Sequence, residues 1–517
     1  MAENQLNRTH PDYDDQYSNW EIMDDLYIGA PAVKSASTKY LPMTESEEID
    51  AKKAGSNKRT AYDRRLDNAV YFNGIDRLVK YTTGHMYREN PVYPEEGEAP
   101  EWFESMVEDA DLLGTELDTF LRNVSLKSYL MGHYFIAVDF PNTSGMDSRS
   151  VVKMTNPRPY LVPVSPIEII NWALERTLDG SYQFKWLVHR YSYRESDGPM
   201  DDHYTSVYYK VWYKNKWELW VARLETEETD LDSVQPELVE EGPNPLGFIP
   251  YQPIYSQMIR PMVSKPPLVE SANLNIDHYR VLSAFNHGLM FHLNPILVLS
   301  GVQDSHIKTG SNAALVLPRN AKAEYVEYTG RSLNIGKETA EMILREMWES
   351  GMRSQTSLGA NTSADARRLS RSDFQSWLLS VVSSHENSYN RAMGIAALWA
   401  RDIPEVEKLI KLNKDFDLTP MDANEAEFLL NTRKAGEISR RVFLKELQRG
   451  ERLDKTVDID EEVEAAKADL EEDLKALAEA EAASMKNQNE ASADQPEQEP
   501  NPDQGSENQR TRSNDDE

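Results

Sequence analysis

Apolar positions divide the chain into stretches of different period. Residues 1–60 are mostly polar, punctuated by Pro11, Pro31 and Pro42, and predict irregular structure with short helices near 17–27 and 45–54. Over 62–81, Leu66, Val70, Ile75 and Leu78 recur at helical spacing, predicting one helix that stops near Gly84. A second helical stretch is expected over 105–120, running on through Val124 and Leu130. Residues 132–139 read as a short buried strand that Pro141 ends. Between 150 and 255 the period becomes that of strands. Residues 158–164 are extended because positions before proline avoid the helical region. Tyr209, Val211 and Tyr213 alternate, Lys214-Asn215-Lys216 turns, and Trp217, Leu219 and Val221 alternate again, predicting a hairpin over 204–224. Residues 225–245 read as an acidic, proline-containing loop.

Leu268, Ala272, Ile276, Tyr279, Leu282, Phe285 and Leu289 then draw a single apolar stripe down a long helix that Asn294-Pro295 ends. Short strands are expected at 296–299, 314–317 and 324–328. A helix over 337–350 packs Ile343, Leu344, Met347 and Trp348. The polar, small-residue stretch 351–365 is expected to be a loop. Phe374, Trp377, Val381, Tyr389, Ala392, Ile395 and Trp399 mark a long helix over 367–400. Two short helices, 425–434 and 440–449, are each expected to close on a left-handed glycine, Gly436 and Gly450.

Composition changes the picture at the C-terminal end. From Lys455 to Glu517 there are 20 acidic and 6 basic residues, so this end carries −14 of a formal net charge of −31. Residues 461–485, rich in Ala, Glu and Leu, predict a helix. From Lys486 onward there is almost nothing to bury, and disorder is expected. A chain of 517 residues predicts two or more domains. Its acidity argues against wrapping nucleic acid tightly, since phosphate neutralisation needs a basic face. Without cysteine there is no disulfide, thiolate metal site or cysteine nucleophile. The first residues lack the layout of a signal peptide, and no apolar run reaches the roughly 18–20 residues of a membrane helix. A soluble chain made in the cytoplasm, without a membrane partner, is the expectation.

Candidate chemistry is sparse. Gly330-Arg-Ser-Leu-Asn-Ile-Gly336-Lys337-Glu338 has five residues between its glycines where a phosphate-binding loop has four. Glu338 stands where Ser or Thr would hold magnesium, so the stretch reads as a loop opening a helix. The histidines share no metal-binding spacing; His278, His287 and His292 do not fall on one helix face, and structural roles are expected. No catalytic residue, cofactor site or metal site emerges, and the chain reads as a non-enzyme. Trp186, Tyr191, Tyr204, Tyr208, Tyr209, Trp212, Tyr213, Trp217 and Trp220 crowd one region. They could form a carbohydrate- or base-stacking platform, or a strand layer packed on both faces, one of them against a neighbour; the packed layer is preferred. Residues 435–449 could pass for a DNA-reading helix-turn-helix, but Glu437 and Glu446 interrupt the basic face of Arg440, Arg441, Lys445 and Arg449. Two packed helices with a solvated basic face are expected instead.

Three stretches carry a family resemblance. The strand 132–139 is followed by Arg158-Pro-Tyr-Leu-Val-Pro-Val-Ser-Pro-Ile-Glu-Ile-Ile-Asn-Trp172. Leu268-Val-Glu-Ser-Ala-Asn-Leu-Asn-Ile-Asp-His-Tyr-Arg280 runs on to Asn294-Pro-Ile-Leu-Val-Leu-Ser-Gly301. Ala435-Gly-Glu-Ile-Ser-Arg-Arg-Val-Phe-Leu-Lys-Glu-Leu-Gln-Arg-Gly450 follows the last long helix. In order and spacing the chain resembles the portal proteins of tailed bacteriophages, closest to a portal-like family first known as a domain of unknown function. The resemblance implies an α+β fold with portal architecture: an N-terminal segment (1–60), an α/β wing (61–265), a stem helix (266–293), a clip (294–335), a second stem helix with a tunnel loop (336–366), a long helix returning to the wing (367–415), a crown (416–485) and a disordered acidic tail (486–517). It implies a dodecameric ring at one vertex of the virion capsid, in contact with the major capsid protein, a terminase motor and a head-tail adaptor. Double-stranded DNA passes through non-specifically during packaging and ejection. Arg353, Ser354, Gln355, Asn361, Arg367 and Arg368 are then the tunnel-loop candidates, the arginines for transient phosphate contact or for ion pairs between subunits. A carbohydrate-binding or carbohydrate-active protein using the aromatic strands is the alternative.

Overall fold

The computed structural model describes residues 4–54, 59–95, 97–141, 157–196, 198–224, 229–293, 296–300, 322–326, 331–352, 364–416, 423–450, 452–454 and 457–492. Helix accounts for 51% and strand for 20%, and the named strands pair antiparallel, so the chain is α+β. It divides into two units, Met1–Phe416 and Asp417–Glu517.

The first unit opens with a helix where a short one was expected near 17–27; it is longer than expected and is a core element. Helix α1 (Pro11–Ile28) starts on a proline, with the His10 ring accepting from the Asp12 N–H, and buries Tyr13, Gln16, Trp20, Met23 and Leu26. Its burying positions are interleaved with Asp and Asn, which hides the stripe from a hydrophobicity count. Gln16 donates to Met262 O (3.2 Å) and accepts from Ser264 N (3.0 Å), and Trp20 Nε1 donates to Met131 O (3.1 Å). Two short helices follow, α2 (Ala30–Ser35) and the expected α3 (Glu45–Ala54).

The single helix expected over 62–81 is two, α4 (Ala61–Asn68) and α5 (Gly74–Met86). Caps decide the break: Thr60 and Asp63 close a capping box on α4, and the Asn73 side chain accepts from Asp76 N to start α5. The stretch expected to run from 105 to 130 is likewise split into α6 (Glu101–Glu108) and α7 (Leu117–Met131). Between them the Asp109 and Asp111 carboxylates accept from the N–H groups of Leu113, Gly114 and Thr115, and Leu112 and Gly114 take positive φ.

Strand β1 (His133–Asp139) lies between β2 (Tyr160–Val164) and β8 (Tyr251–Tyr255). A five-stranded meander joins β3 (Ile169–Arg176), β4 (Tyr182–Glu195), β5 (Tyr204–Tyr213), β6 (Lys216–Leu224) and β7 (Glu237–Pro243). The β5–β6 hairpin is the expected one. Strand β7 corrects the acidic-loop reading of 225–245: Trp217 pairs with Gly242 and Glu218 with Glu241. Its side chains are exposed at the sheet edge, so no apolar alternation announces it; acidic residues there also discourage further strand pairing. A two-stranded ribbon, β9 (Met258–Arg260) with β10 (Val263–Ser264), completes this part.

Helix α8 (Val269–Leu293) is the expected stripe helix. Strands β11 (Ile296–Ser300) and β12 (Lys322–Val326) pair antiparallel beyond it; the strand expected at 314–317 and the end of the one at 324–328 lie outside the described residues. Helix α9 (Arg331–Met352) begins earlier than expected, so residues 331–336 are helix and not a loop opening one. Gly336 sits inside α9 where a Cβ would come within 3.4 Å of Phe285 Cδ2. Helix α10 (Ala364–Ala400) follows. Of the loop expected over 351–365, the ends belong to α9 and α10, and 353–363 lies outside the described residues.

The second unit holds α11 (Ala423–Lys434), α12 (Arg440–Arg449) and α13 (Ile459–Ser492). Gly436 is left-handed as expected, but Gly450 has φ −80°. There the chain is turned instead by Arg452 N bonding back to Leu447 O and Gln448 Nε2 to Asp454 O. Helix α13 outruns the predicted end at 485 and reaches Ser492; residues 493–517, expected to be disordered, lie outside the described residues. Among the described residues no helix is long and apolar enough to cross a membrane.

Candidate functional site

The most distinctive geometry of the first unit is the antiparallel pair α8 and α9. Ser271 Oγ, near the start of α8, donates to Met347 O (3.5 Å) and bonds Ser350 Oγ (3.2 Å) near the end of α9. At the other end, Gly288 faces Leu333 and Phe285 faces Gly336. The 25 residues of α8 span about 37 Å.

The root of this hairpin is tightly held. Leu268, Ala272, Asn275, Ile276 and Tyr279 are buried. Asn275 Nδ2 donates to Phe72 O (2.9 Å), while its Oδ1 accepts from Gly74 N and from Tyr71 OH (both 3.2 Å). It thereby satisfies backbone groups freed by the α4–α5 break. Gly74 and Gly351 let α5 and α9 approach: a Cβ would lie 2.5 Å from Met347 Cε at the first and 2.5 Å from Leu78 Cδ1 at the second. Arg280 Nε donates to Tyr40 O (2.9 Å). Beyond that point the distal 13 residues of α8, about 20 Å, pack on α9. Four large apolar side chains of the helix pair there are open to solvent: Leu293 and Ile335 are each 66% exposed, and Met290 and Met342 are exposed as well.

The residues singled out for the tunnel loop adjoin this hairpin in sequence. Arg353, Ser354, Gln355 and Asn361 lie outside the described residues. Arg367 and Arg368 fall in the opening turns of α10. The two ends of the segment are anchored on the same helix, α5: Gly351 meets Leu78, and Phe374 of α10 packs on Tyr81 and His85. Sequence reasoning missed Asn275, Gly74 and Gly351. A lone Asn in an apolar stripe and a Gly inside a helical pattern were the available signals.

A buried polar cluster lies elsewhere in the first unit, around His385. His385 Nδ1 bonds Ser125 Oγ (2.9 Å) and its Nε2 bonds Ser256 Oγ (3.0 Å) and Ser128 Oγ (3.3 Å). Ser125 Oγ in turn contacts Tyr389 OH (2.6 Å) and Tyr87 OH (2.8 Å). This resembles a serine–histidine pair, but no carboxylate orients the ring, and burial pushes the imidazole down to about 3. A base that weak cannot take a serine proton at neutral pH. His133 and His189 are pushed down to about 3 by the same burial and bond Ser264 Oγ (2.7 Å) and Tyr251 OH (3.0 Å). Among the described residues no group of His, Asp and Glu is arranged to hold a metal.

Most of the strand aromatics are packed, while Tyr191 and Tyr208 stack on each other and meet the exposed Tyr193 edge to face. Tyr209 and Trp212 are buried, and Trp186, Tyr213, Trp217 and Trp220 pack on the core. One face of the five-stranded sheet meets the three-stranded sheet through His189–Tyr251 and Lys210–Asp139 (2.7 Å). The other is covered by the N-terminal segment, where Asn4 Nδ2 donates to Tyr209 OH (3.2 Å) and Asn7 Oδ1 accepts from Arg190 (2.7 Å). The cover therefore comes from the same chain. A cleft of about 1320 Å³ runs between α10 and the β8–β10 region, with Phe248, Met258, Met393 and Ile403 among its walls. In the second unit, α12 exposes Arg441, Lys445 and Arg449, with Arg441 paired to Asp460 (2.8 Å).

No curated protein matches the chain in sequence. Residues 267–400, which take in both helices of the hairpin and the whole of α10, match the family model described as a domain of unknown function, DUF4055.

Proposed function

We propose that this chain is the subunit of a portal ring: a channel at one capsid vertex of a tailed bacteriophage, through which DNA is packaged and ejected. The observation that carries the proposal is the projecting hairpin of α8 and α9, firmly rooted in the body and apolar where it projects. A second copy of the same chain would bury those side chains, and cyclic repetition of such a contact closes a ring. Supporting it are the mixed helix and strand of the chain and a pair of long helices between its strands and its last long helix, which suit the portal resemblance. In that reading the strands 132–264 belong to the wing, α8 and α9 to the stem, β11 and β12 to the clip, α10 to the return path, and α11 to α13 to the crown. The net charge of −31 suits a conduit, because a wall that repels phosphate lets DNA slide without gripping it. The terminase motor, head-tail adaptor and major capsid protein are the partners of this reading. Its work is conduction and needs no bond-making by the chain.

Negative-stain electron microscopy and native mass spectrometry of the full chain test the proposal. Closed rings with a central opening are expected, twelve copies being the number the resemblance implies. A chain that stays monomeric at high concentration overturns it.

A further inference from the structure

We infer that neighbouring copies in the ring are held by two matched ion pairs along the hairpin, Arg280 with Glu341 and Asp277 with Arg345, each made between chains. This deepens the ring proposal and rests on it.

The inference comes from exposure and height. On α8 the exposed positions Asn273, Asp277, Arg280, Ala284 and His287 follow three- and four-residue steps, so they form one narrow stripe. Ser271 and Phe285, which pack on α9, lie on a different face. On α9 the exposed positions Lys337, Glu338, Glu341, Met342, Arg345 and Glu346 cover the side away from Leu333, Gly336 and Met347, which meet α8 or α5.

Heights follow from the antiparallel contacts. Ser271 is level with Ser350, Phe285 with Gly336, and Gly288 with Leu333. Each step up α8 is therefore matched by one step down α9. On that scale Arg280 is level with Glu341. Asp277 is level with Arg345 to within one residue, about 1.5 Å. Ala284, the small member of its stripe, stands at a height between Ile335 and Met342, the exposed apolar residues of α9.

Rotation about a ring axis leaves height along that axis unchanged. A hairpin running along the axis therefore meets its neighbour level for level, the α8 stripe of one copy against the α9 face of the next. Positive then faces negative at one height and negative faces positive at the next, with apolar side chains over alanine just beyond the Arg280–Glu341 level. The pattern also fixes direction: two α8 stripes, or two α9 faces, would set like charges opposite each other. Within one chain the opposite charges near them are held loosely, Arg280 with Asp277 at 3.3 Å and Glu341 with Lys337 at 3.7 Å on exposed side chains, and Arg280 Nε also donates to Tyr40 O.

Charge exchange in the full chain tests this, read by native mass spectrometry over a dilution series. Glu341→Arg and Arg280→Glu are each expected to raise the concentration for half-assembly by roughly tenfold. The double exchange should return it to within about twofold of the original. Arg280 also holds Tyr40 O, so Asp277→Arg with Arg345→Asp provides an independent exchange that leaves that bond in place. Thermal unfolding confirms that each variant is folded. If the unaltered chain forms rings and single exchanges leave assembly unchanged, or neither double restores it, the pairing is wrong while the ring reading stands. If the unaltered chain forms no ring, the proposed function fails and the pairing with it.

Discussion

Replacing His385 with Gln removes a proton-binding group that the folded chain keeps neutral. The imidazole is fully enclosed by Ser125, Ser128, Ser256 and Tyr389, and burial holds it at about 3 against about 6.5 when unfolded. Between those values the unfolded chain binds one more proton than the native one. Stability therefore rises with pH across this window, is complete above about 6.5, and is lost as pH falls toward 3. At about 1.36 kcal/mol per pH unit, acidification from pH 7 to 5 costs about 2 kcal/mol for His385 alone. His133 and His189, also held at about 3, add similar amounts. Urea unfolding of the original chain and of His385→Gln at both pH values gives a double difference in which the carboxylates and any loss of packing cancel. The acid-induced loss should shrink by about 2 kcal/mol in the variant. With a urea slope of about 3 kcal/mol/M that is roughly 0.7 M in the midpoint. Identical acid-induced losses in the two proteins would refute the claim that the ring stays neutral in the folded state.

Four further outcomes follow from buried hydrogen bonds and packing. Glu386 is buried and accepts from Lys408 Nζ (2.8 Å), Lys414 Nζ (2.9 Å) and Leu412 N (3.1 Å); Glu386→Ala should cost about 2–4 kcal/mol and speed tryptic cleavage at the lysines of 408–414. Asn275→Ala leaves Phe72 O and Gly74 N without their side-chain partner and should cost about 2–3 kcal/mol in chemical unfolding. Gly351→Ala forces a Cβ onto the Leu78 side chain and should lower the melting temperature, overpacking of about 1–3 kcal/mol outweighing a helix-propensity gain of about 1. Gly394→Ala, with nothing within 4 Å of the new Cβ, should raise it.

What the sequence disclosed depended on whether a residue's local pattern matched its tertiary role. The stripe from Leu268 to Leu289 and the β5–β6 hairpin were readable because burial follows period there. Helix α1 was only partly readable, since Gln16 is a buried polar residue spent on Met262 and Ser264, far away in the chain. The breaks at 69–73 and 109–116 were set by Asn73, Asp109 and Asp111 bonding to the backbone, which outweighed a continuous apolar rhythm. Strand β7 has no buried face to betray it. The hairpin's importance was legible as an apolar helix, but its level-matched charges needed the α8–α9 register, which no spacing within one helix contains.

The N-terminal segment has a consequence for how the protein is made. Gln16 and Trp20 find their partners at Met131, Met262 and Ser264, so α1 finishes its bonding only after 246 further residues separate Gln16 from Met262. At about 5–20 residues per second of synthesis, that is roughly 12–50 s during which Gln16 waits for Met262, while Trp20 waits a shorter time for Met131. The N-terminal cover of the five-stranded sheet waits as well, because Asn4 and Asn7 are made long before the strands they cover. Nascent chains of this protein should therefore lean on chaperones early, and a truncated chain ending before β10 should aggregate instead of folding.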